Sequence, residues 1–331
     1  MSRFVPTRAL PFGHLMTIAS ALSEHVRRRP KLPELRRRFR TDDETEVLGV
    51  CSWHDDTPRA TVIVLHGLTG DGDASYIVNT AHKLFARGFD VVRLNARNCG
   101  GTESWTPTLY HTGLTEDLAA VVDTLVAEGR GPLHAIGFSM GGNVVLKYAG
   151  ERGAASHLER VVAVSPPVEI ALASAAIDRG FLNGIYQRAF LDSLADLVRR
   201  KAKLFPGRYD VAGLKGATSL RIFDDRYIAP CFGFADADDY YFRASAGRHL
   251  EGIRAETLVL HARDDSFVPA APLEEWRRWA PDHVHIEITE RGGHVGFVAR
   301  RAARVGDPDA FWAENRAVDW VSGQAGQLLG T

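Results

Sequence analysis

Short apolar runs alternate along the chain with stretches in which apolar residues recur every third or fourth position. Thr61–His66 (TVIVLH), Phe89–Leu94, Leu133–Phe138, Arg160–Val164, Glu256–His261 and Val284–Ile288 are runs of the first kind. Runs of about four to eight residues rich in Val, Ile and Leu predict strands. Because they lack polar alternation, they predict a mostly parallel sheet covered on both faces. Tyr76–Arg87, stopped by Gly88, and Thr115–Glu128, with its acids early and apolar residues at 118, 121, 122, 125 and 126, have helical spacing. Residues 46–54 alternate instead, with Val47, Val50 and Trp53 among polar positions, and predict an antiparallel edge strand. Strand and helix in turn specify the α/β class.

The alternation stops between Pro166 and Leu250. That stretch has helical patterning and many aromatics, among them Phe181, Tyr186, Phe190, Phe223, Tyr240 and Tyr241. An insertion at this point lies over the carboxyl ends of the strands, where open α/β sheets bind ligands. The expected organisation is an N-terminal helical or extended segment (1–45) near the site, a core of 46–165 with 251–331, and a helical cap or lid (166–250). For most of the aromatics, filling a small core of the cap itself is the simpler role.

Chemistry enters at Gly137-Phe138-Ser139-Met140-Gly141, which follows the run Leu133–Ile136 and precedes an apolar helical stretch. Strand, G-x-S-x-G and helix together describe a nucleophile elbow, with flanking glycines because the sharp turn leaves no room for side chains. Ser139 is therefore the candidate nucleophile of an acyl-transfer reaction. It needs a base, and the base needs an orienting acid, in the chain order Ser, acid, His. Asp264 and Asp265 follow one buried run and Arg291-Gly292-Gly293-His294 follows the next, so His294 is the candidate base and one of the two aspartates the acid. His66 precedes Ser139, and His111, His134, His249 and His261 lack an acid at suitable spacing. His283 and His285 would lack further metal ligands. An oxyanion hole needs backbone N–H groups, for which Met140, after the nucleophile, and Leu68, in His66-Gly67-Leu68-Thr69-Gly70, are the candidates.

Further stretches carry a specific resemblance. They are His66–Gly70 with Ser75-Tyr76; Asn95-Ala96-Arg97-Asn98-Cys99-Gly100-Gly101-Thr102; Tyr110-His111-Thr112-Gly113 with Asp117; Phe223-Asp224-Asp225-Arg226 through Asp239-Tyr240-Tyr241; and Gly292–Phe297. With His14-Leu15-Met16-Thr17-Ile18 they cover nearly the whole chain, which resembles the YheT-like branch of the α/β-hydrolase superfamily, related to the eukaryotic ABHD phospholipases and acyl-ester enzymes. The resemblance implies the α/β-hydrolase fold and serine-hydrolase chemistry on ester or lipid substrates. It also implies a Ser–Asp–His triad without metal or organic cofactor. Asp265-Ser266-Phe267-Val268-Pro269 follows the D-x-x-V-P wording of its acid loop, which selects Asp265 and leaves Asp264 as the alternative. The sequence departs from the commoner wording at Asn98, often glycine in relatives, and at Ser266, often proline. The expected function is carboxylic-ester hydrolysis through an acyl-enzyme. The alternatives are acyl transfer to an alcohol by the same residues, and a silent hydrolase fold used for binding.

Composition narrows this further. A net charge of −1 over 331 residues provides no field for nucleic acid. The three cysteines form no disulfide framework and fit a cytoplasmic protein. No apolar stretch reaches membrane-spanning length. Arg27–Arg40, with triplets at 27–29 and 36–38, reads as a solvated face balanced by Asp42, Asp43, Glu44 and Glu46 rather than as a patch for lipid head groups.

Overall fold

The computed structural model describes residues 4–21, 31–55, 59–301 and 306–324. One eight-stranded sheet runs through them: β1 (Leu35–Arg40), β2 (Glu46–Ser52), β3 (Thr61–Leu65), β4 (Asp90–Leu94), β5 (Leu133–Phe138), β6 (Leu158–Val164), β7 (Glu256–Ala262) and β8 (Val284–Thr289). Their order across the sheet is β1-β2-β4-β3-β5-β6-β7-β8. The first two pairings are antiparallel and the rest parallel. The parallel strands therefore all deliver their carboxyl ends to one rim.

One sequence expectation is corrected here. Residues 46–52 are antiparallel but do not form the edge, because β1 pairs beside them, with Leu35 opposite Cys51 and Arg40 opposite Glu46. The expected boundary at residue 46 thus runs through a hairpin. The β1 sequence, LRRRFR, hides its strand character because only Phe39 is buried. Its arginines cover the exposed edge, as edge strands do to discourage pairing with other chains. Arg37 pairs with Glu128, Arg38 pairs with Glu46 at 2.9 Å and lies over the Trp105 ring, and Arg40 pairs with Asp43 at 2.7 Å. Arg27–Arg29 lie outside the described residues.

Helices cover both faces. α2 (Ser75–Ala86) and α11 (Trp312–Val321) lie on one, tied by buried Lys83, whose Nζ is 2.8 Å from Glu314 and 2.9 Å from Asp309. α3 (Glu116–Ala127) and α4 (Met140–Arg152) lie on the other, and Leu118, Val121, Val122 and Leu125 of α3 face the core with no exposed surface. Between β6 and β7 the chain forms α5 (Ile170–Ile177), α6 (Phe181–Leu204), α7 (Leu220–Phe223), a π-helical turn (Asp224–Ile228), α8 (Ala229–Phe232) and α9 (Ala237–Ala244). The aromatics here do not simply fill a separate core. Phe223, Tyr227, Tyr240 and Tyr241 share one apolar cluster with Tyr110, Met140 and Phe267 at the strand ends. α10 (Ala271–Trp276) precedes β8, and α1 (Gly13–Ala21) packs against the loops after β7 and β8. No helix among the described residues is long and apolar enough to cross a membrane.

Candidate active site

Four strand ends supply the site. β5 runs into Ser139, whose backbone takes φ 53° and ψ −120°, a strained conformation for a residue with a side chain. The glycines around it answer to close approach. A Cβ on Gly137 would lie 2.1 Å from the Gly141 carbonyl oxygen, and one on Gly141 would lie 2.6 Å from that of Leu65. The turn is thus pressed between its own helix and the end of β3, which leaves the Ser139 hydroxyl projecting from the sheet rim.

Ser139 Oγ lies 2.8 Å from His294 Nε2, and His294 Nδ1 lies 2.8 Å from Asp265 Oδ2. The other oxygen of Asp265, Oδ1, accepts from the N–H groups of Phe267 at 2.9 Å and Val268 at 3.0 Å. The carboxylate is therefore fixed before it meets the histidine. Burial by itself would raise the Asp265 carboxyl. The charge and hydrogen bond of His294, together with His261 and the Phe267 N–H, outweigh burial and hold it below its ordinary value. A charged Asp265 requires a donor at Nδ1, so the Nε2 lone pair faces the Ser139 hydroxyl.

The loop carrying His294 is held at three successive amides. Gly293 N–H donates to Asp264 Oδ1 at 2.8 Å, His294 N–H to Thr17 Oγ1 at 2.9 Å, and Val295 N–H to Ser165 Oγ at 3.1 Å. Asp264, the alternative acid, thus turns its carboxylate to the backbone and not to the imidazole. A Cβ on Gly293, at φ 63°, would lie 2.2 Å from the Gly13 carbonyl oxygen, so α1 seats directly on this loop. The anchoring by Thr17 and Ser165 is absent from the sequence reading. In the sequence Thr17 stands only within the matching stretch His14–Ile18, and Ser165 in none.

Leu68 and Met140 line the same cavity as Ser139. Neighbouring amides are occupied: Gly67 N–H donates to Tyr76 Oη at 2.9 Å, Thr69 N–H to Tyr110 Oη at 3.1 Å, and Gly141 N–H to the His66 carbonyl at 3.1 Å. Among the described residues, no acceptor meets the N–H of Leu68 or Met140. His66 braces the same loop, donating from Nδ1 to the Gly67 carbonyl at 2.8 Å and accepting at Nε2 from Ala96 N–H at 3.1 Å. Burial lowers its pKa and keeps it neutral. Asn98, one of the departures from the commoner wording, has φ 65°, a left-handed position that asparagine tolerates. Ser266, the other, contacts His14 Nδ1 at 3.3 Å.

A cavity of about 100 Å³ opens from Ser139 and His294 toward the helical segment. Ile170, Ile177, Leu194, Phe223, Ile228 and Phe267 make most of its wall apolar, and Asp224 and His111 also line it. Burial pushes the Asp224 carboxyl up to about 7, against the hydrogen bond from Tyr241, and lowers His111 to about 3. Asp224 is a site-lining residue that the sequence placed only within a matching stretch, with no signal that it would face the cavity.

Comparison with known proteins agrees with this architecture. The family profile of the alpha/beta hydrolase fold matches residues 60–299. YheT of Escherichia coli (strain K12), classed by its name with the esterases, is 31% identical over 97% of this chain and 93% of its own length. The mouse phospholipase ABHD3 is 34% identical over 74% of this chain, and the match spans 60% of that protein. The monoacylglycerol lipase of Saccharomyces cerevisiae is 30% identical over 76% of this chain and 58% of its own. Among solved structures, the Pyrococcus furiosus esterase Pf2001 superposes with a TM-score of 0.56 at 18% identity, covering 88% of this chain and 93% of that one, a likeness of fold.

Proposed function

The chain belongs to the alpha/beta hydrolase family, and from that premise we propose that it is a carboxylic-ester hydrolase working by a serine acyl-enzyme mechanism. The observation that carries the reading is the line of two 2.8 Å contacts from Ser139 Oγ through His294 to Asp265. Ester cleavage as such is supported by the esterase, phospholipase and lipase names of its relatives.

In the mechanism we assign, Ser139 Oγ attacks the ester carbonyl carbon while His294 Nε2 takes its proton. The carbonyl oxygen becomes an oxyanion that the N–H groups of Leu68 and Met140 stabilise. Collapse of the tetrahedral species breaks the bond to the alkoxy oxygen, which leaves with the proton held on Nε2. Water then repeats the cycle on the acyl-enzyme: His294 accepts its proton, the carboxylic acid is released, and the Ser139 hydroxyl is restored. Asp265 stays ionised throughout, holding the imidazole in orientation and balancing its charge. Residues 166–250 serve as a cap whose apolar wall receives an acyl chain or lipid.

A fluorophosphonate probe tests the assignment. Wild type should be labelled and should hydrolyse p-nitrophenyl esters. Ser139→Ala should lose labelling altogether and turnover by ~10⁶-fold while melting at the same temperature. Labelling retained in Ser139→Ala would remove Ser139 from the role.

A further inference from the structure

The proposed acyl cavity contains one carboxyl group that the reaction does not use. Asp224 opens the π-helical turn after α7, a local irregularity often found at functional sites. Its Oδ2 accepts from Tyr241 Oη at 2.8 Å, and Tyr241 Oη is 3.0 Å from Ser174 Oγ, so Asp224, α9 and α5 are linked in one short chain of hydrogen bonds. That chain occupies a single oxygen. Among the described residues, Oδ1 has no hydrogen-bond partner, and Asp224 lines the cavity that also holds Ser139 and His294.

We propose that Asp224, through Oδ1, hydrogen-bonds a hydroxyl group carried by the substrate, so that the enzyme prefers hydroxylated esters to their plain alkyl counterparts. This rests on the ester-hydrolase reading of Ser139 and deepens it to a substrate class. The surroundings decide which polar group fits. Phe223, Ile228, Ile170 and Leu220 share the cavity wall with Asp224. The polar groups there include the neutral Thr112, Ser174, Tyr240 and His111 beside Ser139 and His294, and among the described residues no second acid lines it to help hold a cation. A carboxyl raised to about 7 by burial is shared between its two protonation states near neutrality. A hydroxyl satisfies both, donating to the carboxylate or accepting from the carboxylic acid. An unsubstituted alkyl chain satisfies neither and would leave Oδ1 desolvated without a partner. A purely structural role, joining α7 to α9, is already met by Oδ2 and would place no demand on the substrate.

The hydroxyl has two possible sources, the acyl chain or the alcohol, and the experiment has an arm for each. In the first, p-nitrophenyl octanoate is compared with its monohydroxylated analogues, the hydroxyl moved one carbon at a time. In the second, propyl octanoate is compared with 1-octanoylglycerol by titrating released acid. The contact lies away from the reacting atoms, so it should act on KM and leave kcat within a few fold. We expect one hydroxyl position to lower KM by roughly ten- to a hundredfold in wild type, the scale of a hydrogen bond to an ionisable group. In Asp224→Leu the ratio of plain to hydroxylated KM should fall to near one, while Asp224→Asn, which keeps a donor and an acceptor, should retain part of it. If Asp224→Leu does not fold, Asp224→Ala gives the same comparison. A wild type with no hydroxyl preference in either arm, or a preference that survives the loss of the carboxyl, overturns the role given to Asp224. Failure to hydrolyse even the plain esters would instead overturn the serine-hydrolase reading on which it rests.

Discussion

Two adjacent aspartates show how much a single residue's place decides. Asp264 and Asp265 have the same chemistry and follow the same strand. Yet Asp265 directs Oδ2 to His294 Nδ1, and Asp264 directs Oδ1 to Gly293 N–H. The expected consequences separate. Asp265→Asn should lower kcat for p-nitrophenyl esters by ~10⁴, because an amide neither balances the imidazolium nor enforces the tautomer. Asp264→Ala should remove one anchor of the histidine loop, lowering stability by ~1 kcal/mol in a urea titration and leaving most of kcat. A dead Asp264→Ala beside an active Asp265→Asn would reverse the two roles. Ser139, His294 and the pair of aspartates were legible because each follows a strand in a fixed order. Thr17, Ser165 and Asp224 were not, since their partners lie far away in the chain and no local pattern marks a side chain that catches an amide of another segment.

At the scale of elements, the strands and the two amphipathic helices followed from hydrophobic period, and β1 did not. A strand with one buried side chain and four arginines looks like a solvated charge run until its neighbour is known. The helical segment between β6 and β7 was legible as an interruption, but its use of aromatics as the wall of a cavity depends on how α5, α6 and α7 close over the strand ends. Ile177 lies on that wall. Ile177→Trp should shorten the cavity, reducing kcat/KM for long-chain p-nitrophenyl esters by about tenfold or more while butyrate esters are cleaved as before. A uniform loss at all chain lengths would show that Ile177 does not bound the acyl chain.

The π-helical turn carries a prediction of its own. The Asp224 carboxyl rises from an ordinary 3.8 to about 7 in the folded protein because burial disfavours its charge. The folded state then binds this proton more tightly than the unfolded chain does. Its contribution to stability is complete below pH 4 or so and is lost as pH rises through about 7. The melting temperature of wild type minus that of Asp224→Asn should therefore decrease between about pH 4.5 and pH 7.5. Glu314, also raised by burial to about 7, titrates in both proteins and cancels from the difference. A difference that does not change with pH would mean that Asp224 is not desolvated in this way.

At the scale of the whole molecule, a few enclosed ionic contacts join segments that hydrophobic packing alone would leave free to slide. Arg97, in the loop after β4, directs Nε to Asp117 of α3 at 2.8 and 3.1 Å, and the Thr41 hydroxyl of the β1–β2 turn adds a bond at 3.3 Å. Burial raises the Asp117 carboxyl, and Arg97 opposes that shift. Arg97→Met should cost ~3 kcal/mol or more in a urea titration by stranding a buried carboxylate. The double variant with Asp117→Leu should recover much of that loss. No recovery would mean that the pair does more than neutralise itself.

The sequence by itself determined the class of fold, the order in which Ser139, Asp265 and His294 follow successive strands, and the glycines of the tight turn at the end of β5. These are encoded locally, in hydrophobic period and in residues that a sharp turn requires. It also carried the wording that places the chain in its family. Only the tertiary structure decided where the Asp264 carboxylate goes, which side chains hold the histidine loop, and that Asp224 lines the cavity beside Ser139. Those depend on contacts between residues as distant as Thr17 and His294 or Asp224 and Tyr241. Such contacts exist only once the sheet has brought its carboxyl ends to one rim and the helices have closed over them.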